Sequence, residues 1–382
     1  MKPNLYFDYA AATPVDKIVL ETIQENMHYY ANASAAYTSA REAKQKLEYF
    51  RKQIAGSLNA KSENVIFTSS ATESNNLAIF GICKQFKSGR IISIRTEHPS
   101  IYEPLLQLKK EGYEIDWCDI DKFGRIDLDH LSKLIKTDTI LISLEYANST
   151  IGTIQPISQI ASLLDSTAQN KLTRPVLHVD ASGAQMSLSL AIDRLGVDLM
   201  TVSSSKIYGP TGVALLYVKR NTSIEPIIYG GKQEFGVRAG TENLAAIAGF
   251  AKAIEILNTY RKQDNIDFQK LYNYFTEKLS KQISFEQFGS PKDRVYNIVS
   301  IAFDDVNGED LVAYLDTAGI EVATGAACLV AGEKPSRILL ALGVKESIAQ
   351  GSLRISFGRE TNTKQIDLLI EGLCKSIKQL KG

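Results

Sequence analysis

One tryptophan, four histidines and four cysteines are all that the 382 residues hold of those types. The cysteines, Cys83, Cys118, Cys328 and Cys374, lie far apart with no Cys-x-x-Cys pair. That spacing argues against a disulfide framework and against a four-ligand zinc centre, so no metal site is expected. Charge of one sign is also missing: 43 Lys+Arg against 43 Asp+Glu gives 43 − 43 = 0. A balanced chain has no overall field to hold a polyanion, and direct nucleic-acid binding is not expected. No apolar run approaches the ~18 residues of a membrane span. Residues 1–8 lack the basic-then-apolar order of a signal peptide, so a reducing, cytoplasmic setting is expected. What is present, 44% hydrophobic and 23% charged residues, is the composition of a globular chain of about two domains.

Short β-rich runs alternate with helical stretches from about residue 60 to 220. The runs are Val65–Ser70, Arg90–Arg95, Thr139–Leu144, Val176–Asp180, Met200–Ser205 and Val213–Lys219. Several are continuously apolar, as strands covered on both faces are. Glu73–Lys84 and Ile157–Leu164 read as intervening helices. The pattern predicts an α/β fold with a largely parallel, helix-flanked sheet, whose ligands bind beyond the carboxyl ends of the strands. Residues 245–282 read as a long helix. A strand at Asn297–Phe303, a helix at Gly308–Ala318, a strand at Leu353–Phe357 and a helix at Thr363–Leu380 follow as a smaller unit. Gly325–Pro335 reads as a Gly/Ala-rich loop.

Three segments at expected strand ends could carry chemistry. Lys206, in Ser203-Ser-Ser-Lys206, follows a buried strand. Burial frees an amine as a nucleophile that can form a Schiff base with an aldehyde, although taken alone this residue reads more readily as a surface lysine after an edge strand. Asp180, in His178-Val-Asp180, could pair with a protonated pyridine nitrogen or serve as a helix N-cap. Thr68-Ser-Ser-Ala-Thr-Glu-Ser-Asn75 opens a helix. It offers an anion site, a capping box in which Glu73 reciprocates, or both. A lysine, an aspartate and a phosphate cradle on successive strand ends are what pyridoxal 5′-phosphate requires.

At these residues the chain resembles the NifS/IscS-type cysteine desulfurases, class-V aminotransferase relatives of pyridoxal-phosphate fold type I. The resemblance runs from Tyr6-Phe-Asp-Tyr-Ala-Ala-Ala-Thr-Pro14 to Leu353-Arg-Ile-Ser-Phe-Gly-Arg359. Its most specific blocks are Phe67–Asn75, Thr96-Glu-His98, Val197–Met200 through Lys206–Pro210, Arg238-Ala-Gly-Thr241 and Ala323-Thr-Gly-Ala-Ala-Cys328. It implies a mostly parallel central sheet flanked by helices, with a smaller α+β C-terminal domain. The large, cofactor-binding domain would span 14–255, and the small domain 1–13 with 256–382, carrying the Cys328 loop. The implied catalytic residues are Lys206, which holds the cofactor and moves the Cα proton, His98, which stacks on the ring, and Cys328, which receives sulfur as a persulfide. Asp180 would pair with the ring nitrogen. Ala71, Thr72, Ser203 and Ser205 would hold the phosphate, and Thr241 would reach the phosphate of a neighbouring subunit in a homodimer. Asn32 and Arg354 would bind the carboxylate of L-cysteine. The product would be L-alanine, and the sulfur would pass to an acceptor protein for iron–sulfur cluster assembly or tRNA or DNA thio-modification. Cys83, Cys118 and Cys374 read as packing residues.

The chain departs from the family pattern at several contacts. Ser205 stands where histidine is usual, Gly183 where a glutamine meets the cofactor's ring oxygen, and Ser149 where a second asparagine is usual in Asn148-Ser-Thr-Ile-Gly152. The segment Asn32-Ala-Ser-Ala-Ala-Tyr37 replaces Asn-Pro-Ser-Ser-x-His, and Ala12 replaces a threonine. Each change removes or shortens a polar contact, so cofactor affinity is expected to fall while Lys206, Asp180, His98, Arg354 and Cys328 persist. A homologue acting as a dimeric scaffold with little turnover, a selenocysteine lyase and an aminotransferase of the same fold are the alternatives. The Cys328 loop argues against the aminotransferase, since transamination needs no second thiol.

Overall fold

The computed structural model describes residues 5–169, 174–325 and 335–381. The expected persulfide residue, Cys328, lies outside the described residues.

Among the described residues thirteen strands form three sheets. A short parallel pair joins β1 (Leu5–Tyr6) to β11 (Ile320–Glu321). The main sheet holds β2 (Val65–Thr68), β3 (Arg90–Ser93), β4 (Glu114–Trp117), β5 (Thr139–Glu145), β6 (Val176–Asp180), β7 (Leu199–Ser203) and β8 (Ala214–Val218), in the order β2-β8-β7-β6-β5-β3-β4. All neighbours are parallel except β8, which runs antiparallel between β2 and β7. The third sheet is antiparallel, ordered β12-β13-β10-β9, from β9 (Glu286–Phe288), β10 (Ile298–Ala302), β12 (Ala323–Thr324) and β13 (Ser352–Ser356).

Twelve α-helices accompany them among the described residues. They are α1 (Lys17–Asn26), α2 (Thr38–Ser57), α3 (Ala71–Cys83), α4 (Pro99–Lys110), α5 (Leu128–Leu134), α6 (Ile157–Gln169), α7 (Ile192–Leu195), α8 (Leu244–Ser280), α9 (Gly308–Thr317), α10 (Arg337–Ala341), α11 (Glu346–Gln350) and α12 (Thr363–Leu380). The continuously apolar β5 and β7 are covered on both faces, and Leu141, Ile142, Leu144, Leu199 and Met200 have no accessible surface. The main core joins α1, α2 and α8 to one sheet face, while a second cluster, with Leu77, Ile82, Ile101 and Leu105 from α3 and α4, covers the other.

Helix α8 is 37 residues long. It is capped by Asn243, whose side chain accepts from the Ala246 N–H at 3.1 Å. It buries Phe250, Ile254, Leu257, Phe268, Leu271, Phe275 and Leu279 at helical spacing, serving the main sheet with its first half and the smaller sheet with its second. The boundary expected between 255 and 256 falls inside it. The amphipathic α12, with a capping box between Asn362 and Gln365, packs Ile366, Leu369, Ile370 and Leu373 inward. Among the described residues no helix is long and apolar enough to cross a membrane.

Candidate active site

The carboxyl ends of β3, β5, β6 and β7 open on one cavity of about 320 Å³. Its wall takes Ala71 and Thr72 from the start of α3, His98 from the turn after β3, and Ser149 and Gly183 from loops after β5 and β6. Asp180, Ser203, Ser205 and Lys206 complete the list of expected residues that line it. Three expected residues are elsewhere. Arg354 lies on β13, Thr241 is exposed on the loop before α8, and Asn32 is exposed near α2. Asn32 accepts from the Ser34 N–H at 2.9 Å, a turn contact.

Each side chain is held by local chemistry. Lys206 ends a 3₁₀ turn, Ser204–Lys206, directly after β7, and its Nζ donates to the Ala10 carbonyl of the N-terminal segment. The turn is followed by Tyr208 at φ 64°, a left-handed conformation uncommon for a bulky residue. The Tyr208 N–H donates to Thr13 Oγ1 at 2.6 Å, which ties the strained backbone to the same segment. Asp180 is buried. Its Oδ2 accepts from Asn75 Nδ2 at 2.7 Å and its Oδ1 from the Ser182 N–H at 2.9 Å. The chain after Asp180 is a series of turns, not the helix that the capping alternative called for. Of the readings of the Thr68–Asn75 segment, the contacts show the capping one. Ser70 Oγ caps α3 by accepting from the Glu73 N–H at 3.1 Å, and Glu73 reaches back to the Ser69 N–H at 2.7 Å. Glu73 also receives Arg238 Nε at 2.7 Å, which ties the Arg238–Thr241 loop to this helix start.

His98 caps α4: its Nδ1 accepts from the Ser100 N–H at 3.1 Å, so the proton of the neutral ring belongs on Nε2. Burial is the largest influence on it and holds its pKa below the ordinary histidine value. Below the cavity floor His178 is fully buried between Ser143 and Thr201. Burial pushes it down to about 4, so it is a neutral sheet residue.

The loss of the family's glutamine has a steric reason. A Cβ added at Gly183 would stand 2.3 Å from the Ala147 carbonyl oxygen. The β5 loop therefore passes where a side chain would start, and only glycine fits. Gln185, two residues on, has no accessible surface and bonds both backbone groups of Ser203. It braces the lysine strand and does not face the cavity.

Arg354 is placed by register, opposite Ser300 on β10 and Ala323 on β12. It is 3% exposed, pairs Nη2 with Asp8 Oδ1 at 2.8 Å, and leaves its buried Nε–H without a hydrogen-bond partner. An unmet donor on a buried guanidinium is suited to a carboxylate ligand. Two residues that the sequence reading passed over also stand here. Glu145, at the end of β5, lines the cavity, and Glu97, beside His98, has no accessible surface. Glu145 sits within an apolar run and Glu97 within a recognised block, so neither stood out from its neighbours. Among the described residues no group of three or more His, Cys, Asp or Glu is placed to hold a metal ion.

The class-V aminotransferase family model matches residues 5–369. The chain belongs to the class-V aminotransferases. Among its relatives, a protein named cysteine desulfurase IscS 1 from Archaeoglobus fulgidus is 36% identical over 99% of this chain and 98% of its own length. One named cysteine desulfurase IscS from Dictyoglomus turgidum is 37% identical over 100% and 96%. A solved structure described as a NifS-like protein superposes with TM-score 0.92 at 29% identity, covering 98% of this chain and 100% of that one. The fold expected from the sequence, that of pyridoxal-phosphate fold type I, is the one observed. The cofactor of this class-V aminotransferase is pyridoxal 5′-phosphate. The residues present fit it. An amine, a carboxylate already supported by two donors, and a cradle of hydroxyls at a helix start face one another across the same cavity.

Proposed function

We propose that the chain is a pyridoxal-phosphate-dependent cysteine desulfurase in which the residues described above divide the work. The carrying observation is that Lys206, Asp180, His98 and the Ala71, Thr72, Ser203 and Ser205 cradle, far apart in sequence, face a single cavity. Bound pyridoxal phosphate supplies an aldehyde for amines and a ring that accepts electrons from the substrate's Cα.

The chain's own groups supply the rest. Thr72, Ser203 and Ser205 hydroxyls and the α3 N-terminus hold the phosphate. Asp180, oriented by Asn75, holds the ring nitrogen, and Ser149 and Gly183 leave room at the ring edge. Arg354, helped by Asn32, binds the carboxylate of L-cysteine through guanidinium donors. The Lys206 amine takes the Cα proton, with neutral His98 beside it. The Cys328 thiolate attacks the sulfur of the substrate. The substrate's C–S bond breaks, a new S–S bond forms, and the carbon takes up a proton. The products are L-alanine and a Cys328 persulfide, so atoms and electrons balance without a further oxidant.

The working unit is a homodimer on this reading. Thr241 is exposed, is not among the residues lining its own cavity, and lies on a loop whose Tyr229 and Phe235 are 76% and 58% exposed. Beside the cavity runs an open groove of about 880 Å³ between α3 and α4, which shares Thr72 and His98 with it. A second copy's loop seated there would bring Thr241 to the phosphate. The persulfide sulfur then passes to an acceptor protein in the cytoplasm. The deciding experiment is mass analysis after incubation with L-cysteine. One extra sulfur is expected on the peptide containing Cys328, with alanine formed in step, and neither should appear in Cys328→Ala. Keto-acid exchange that persists in Cys328→Ala would favour a transaminase instead.

A further inference from the structure

Three buried carboxyl groups stand together at neighbouring strand ends: Glu97 past β3, Glu145 closing β5 and Asp180 closing β6. Glu145 and Asp180 are register partners on adjacent parallel strands, so their side chains leave the sheet on the same side, and both line the cavity. Glu145 Oε2 accepts from Asn148 Nδ2 at 2.9 Å, and its Oε1 lies 3.5 Å from the Ser149 hydroxyl. The Glu145 N–H donates to Glu97 Oε2 at 2.8 Å, while Glu97 Oε1 has no hydrogen-bond partner. Arg337 at the start of α10 faces Glu97 and Glu145, while His98 faces Asp180 and in turn Lys206 and Arg354. Arg337 lies over the Tyr102 ring, 3.9 Å from its centroid, and directs its two terminal nitrogens to the carbonyls of Arg95 and Glu97. Its hydrogen bonds therefore go to backbone and not to the carboxylates.

We propose that Glu145 is a positioning residue that holds a proton in the working enzyme and so leaves Asp180 as the single negative charge at the ring end of the cavity. The inference rests on the reading of this cavity as the cofactor site. Three ionised carboxylates, each more than nine-tenths buried, would repel one another with little to offset it. Asp180 has two close donors, at 2.7 and 2.9 Å, whereas Glu145 has one close amide and the longer Ser149 contact at 3.5 Å, so the proton settles on the glutamates. The electrostatics agree. Burial first, and then Asp180, push Glu145 up to about 8, against the opposing pull of Arg337 and the Ser149 contacts. Burial, Glu145 and Asp180 together drive Glu97 well above the carboxylate range. Above the Glu145 transition a second charge arrives beside Asp180, one strand spacing of roughly 5 Å away. The group that Asp180 pairs with must respond.

The test compares wild type with Glu145→Gln, a neutral side chain of the same shape, each loaded with pyridoxal phosphate. The visible absorbance of the bound cofactor is titrated from about pH 6 to about pH 9.5. The two profiles are expected to coincide below about pH 7 and to part above about pH 8, the ratio of the two absorbing forms differing at least threefold there. Infrared spectra of wild type at neutral pH should show a protonated-carboxyl band that loses intensity in the variant, Glu97 accounting for what remains. Superimposable absorbance profiles across the range, or no such band in wild type, would overturn the inference. A wild-type protein that develops no visible band with pyridoxal phosphate would instead overturn the cofactor reading itself.

Discussion

Replacing Glu145 by glutamine should stabilise the protein, and by an amount that grows with pH. In the folded chain the group titrates near 8, against 4.5 when exposed. The folded pKa is raised, so the folded state binds its proton more tightly than the unfolded state does. Below about pH 4.5 both states are protonated and no penalty arises. As pH rises from there to about 8, each unit destabilises the fold by about 1.4 kcal/mol, and above 8 the loss levels off. At pH 7 the full linkage would be about 3 kcal/mol. Sharing of the proton with Glu97 lowers that, and about 2 kcal/mol is a realistic expectation. Glutamine keeps the shape and can still accept from Asn148, so nothing else need change. Urea unfolding of the cofactor-free protein at about pH 5, 7 and 8.5 reads the effect directly. The variant should match wild type within about 1 kcal/mol at the lowest pH and exceed it by about 2 kcal/mol or more at the highest. A stability difference that stays constant across these three values would refute the reasoning, because a lost contact has no such slope.

Gly183→Ala should destabilise the protein by about 1–3 kcal/mol and weaken cofactor binding, because its new Cβ would meet the Ala147 carbonyl at 2.3 Å; thermal unfolding and cofactor titration measure the two effects. Glu234 accepts a bidentate pair from the buried Arg51 at 2.7 and 2.8 Å and a third bond from the Phe67 N–H at 2.7 Å. Glu234→Gln should therefore cost about 3–5 kcal/mol in urea unfolding, whereas breaking the exposed Lys281–Glu277 pair should leave the unfolding midpoint nearly unchanged. Arg354→Lys should raise KM for L-cysteine by about ten- to a hundredfold with a smaller change in kcat, since a charge-assisted hydrogen bond is worth about 1.5–3 kcal/mol. An unchanged KM would remove Arg354 from the substrate site.

The sheet was legible because its signal is coarse. Thr139-Ile-Leu-Ile-Ser-Leu144 must be buried on both faces, and β5 is. The expected ends of α8 and α12 fall within two residues of the observed ones, because Asn243 and Asn362 cap them. The strand Glu114–Trp117 escaped notice. It lies on the edge of the sheet, and one exposed and two half-buried positions leave it without an apolar run. The antiparallel course of β8 escaped as well, since a short apolar run carries no direction. In the cavity, Lys206, Asp180 and the Thr68–Asn75 segment were legible as strand-end residues. Their convergence was legible only through the resemblance, because sequence spacing does not measure distance between strands.

What stayed hidden has a common physical form. Gly183, Glu145 and Glu97 are each decided by a neighbour that is distant in sequence: the Ala147 carbonyl, the register with Asp180, the amide of Glu145. A glycine in a turn and a glutamate at a strand end are unremarkable until the opposing atom is known. The same contacts recast the departures from the family pattern. Gly183 reads in the sequence as a lost hydrogen bond. In the fold it is a close approach of the β5 loop that brings Ala147, and with it Ser149, to the cavity wall. The carboxyl that closes β5 then stands level with Asp180. The polar inventory of the cavity has thus been rearranged as well as reduced. A protonated glutamate that gives way at about pH 8 makes the ring end of the cavity responsive to pH in a range where neither an amide nor an apolar side chain could respond.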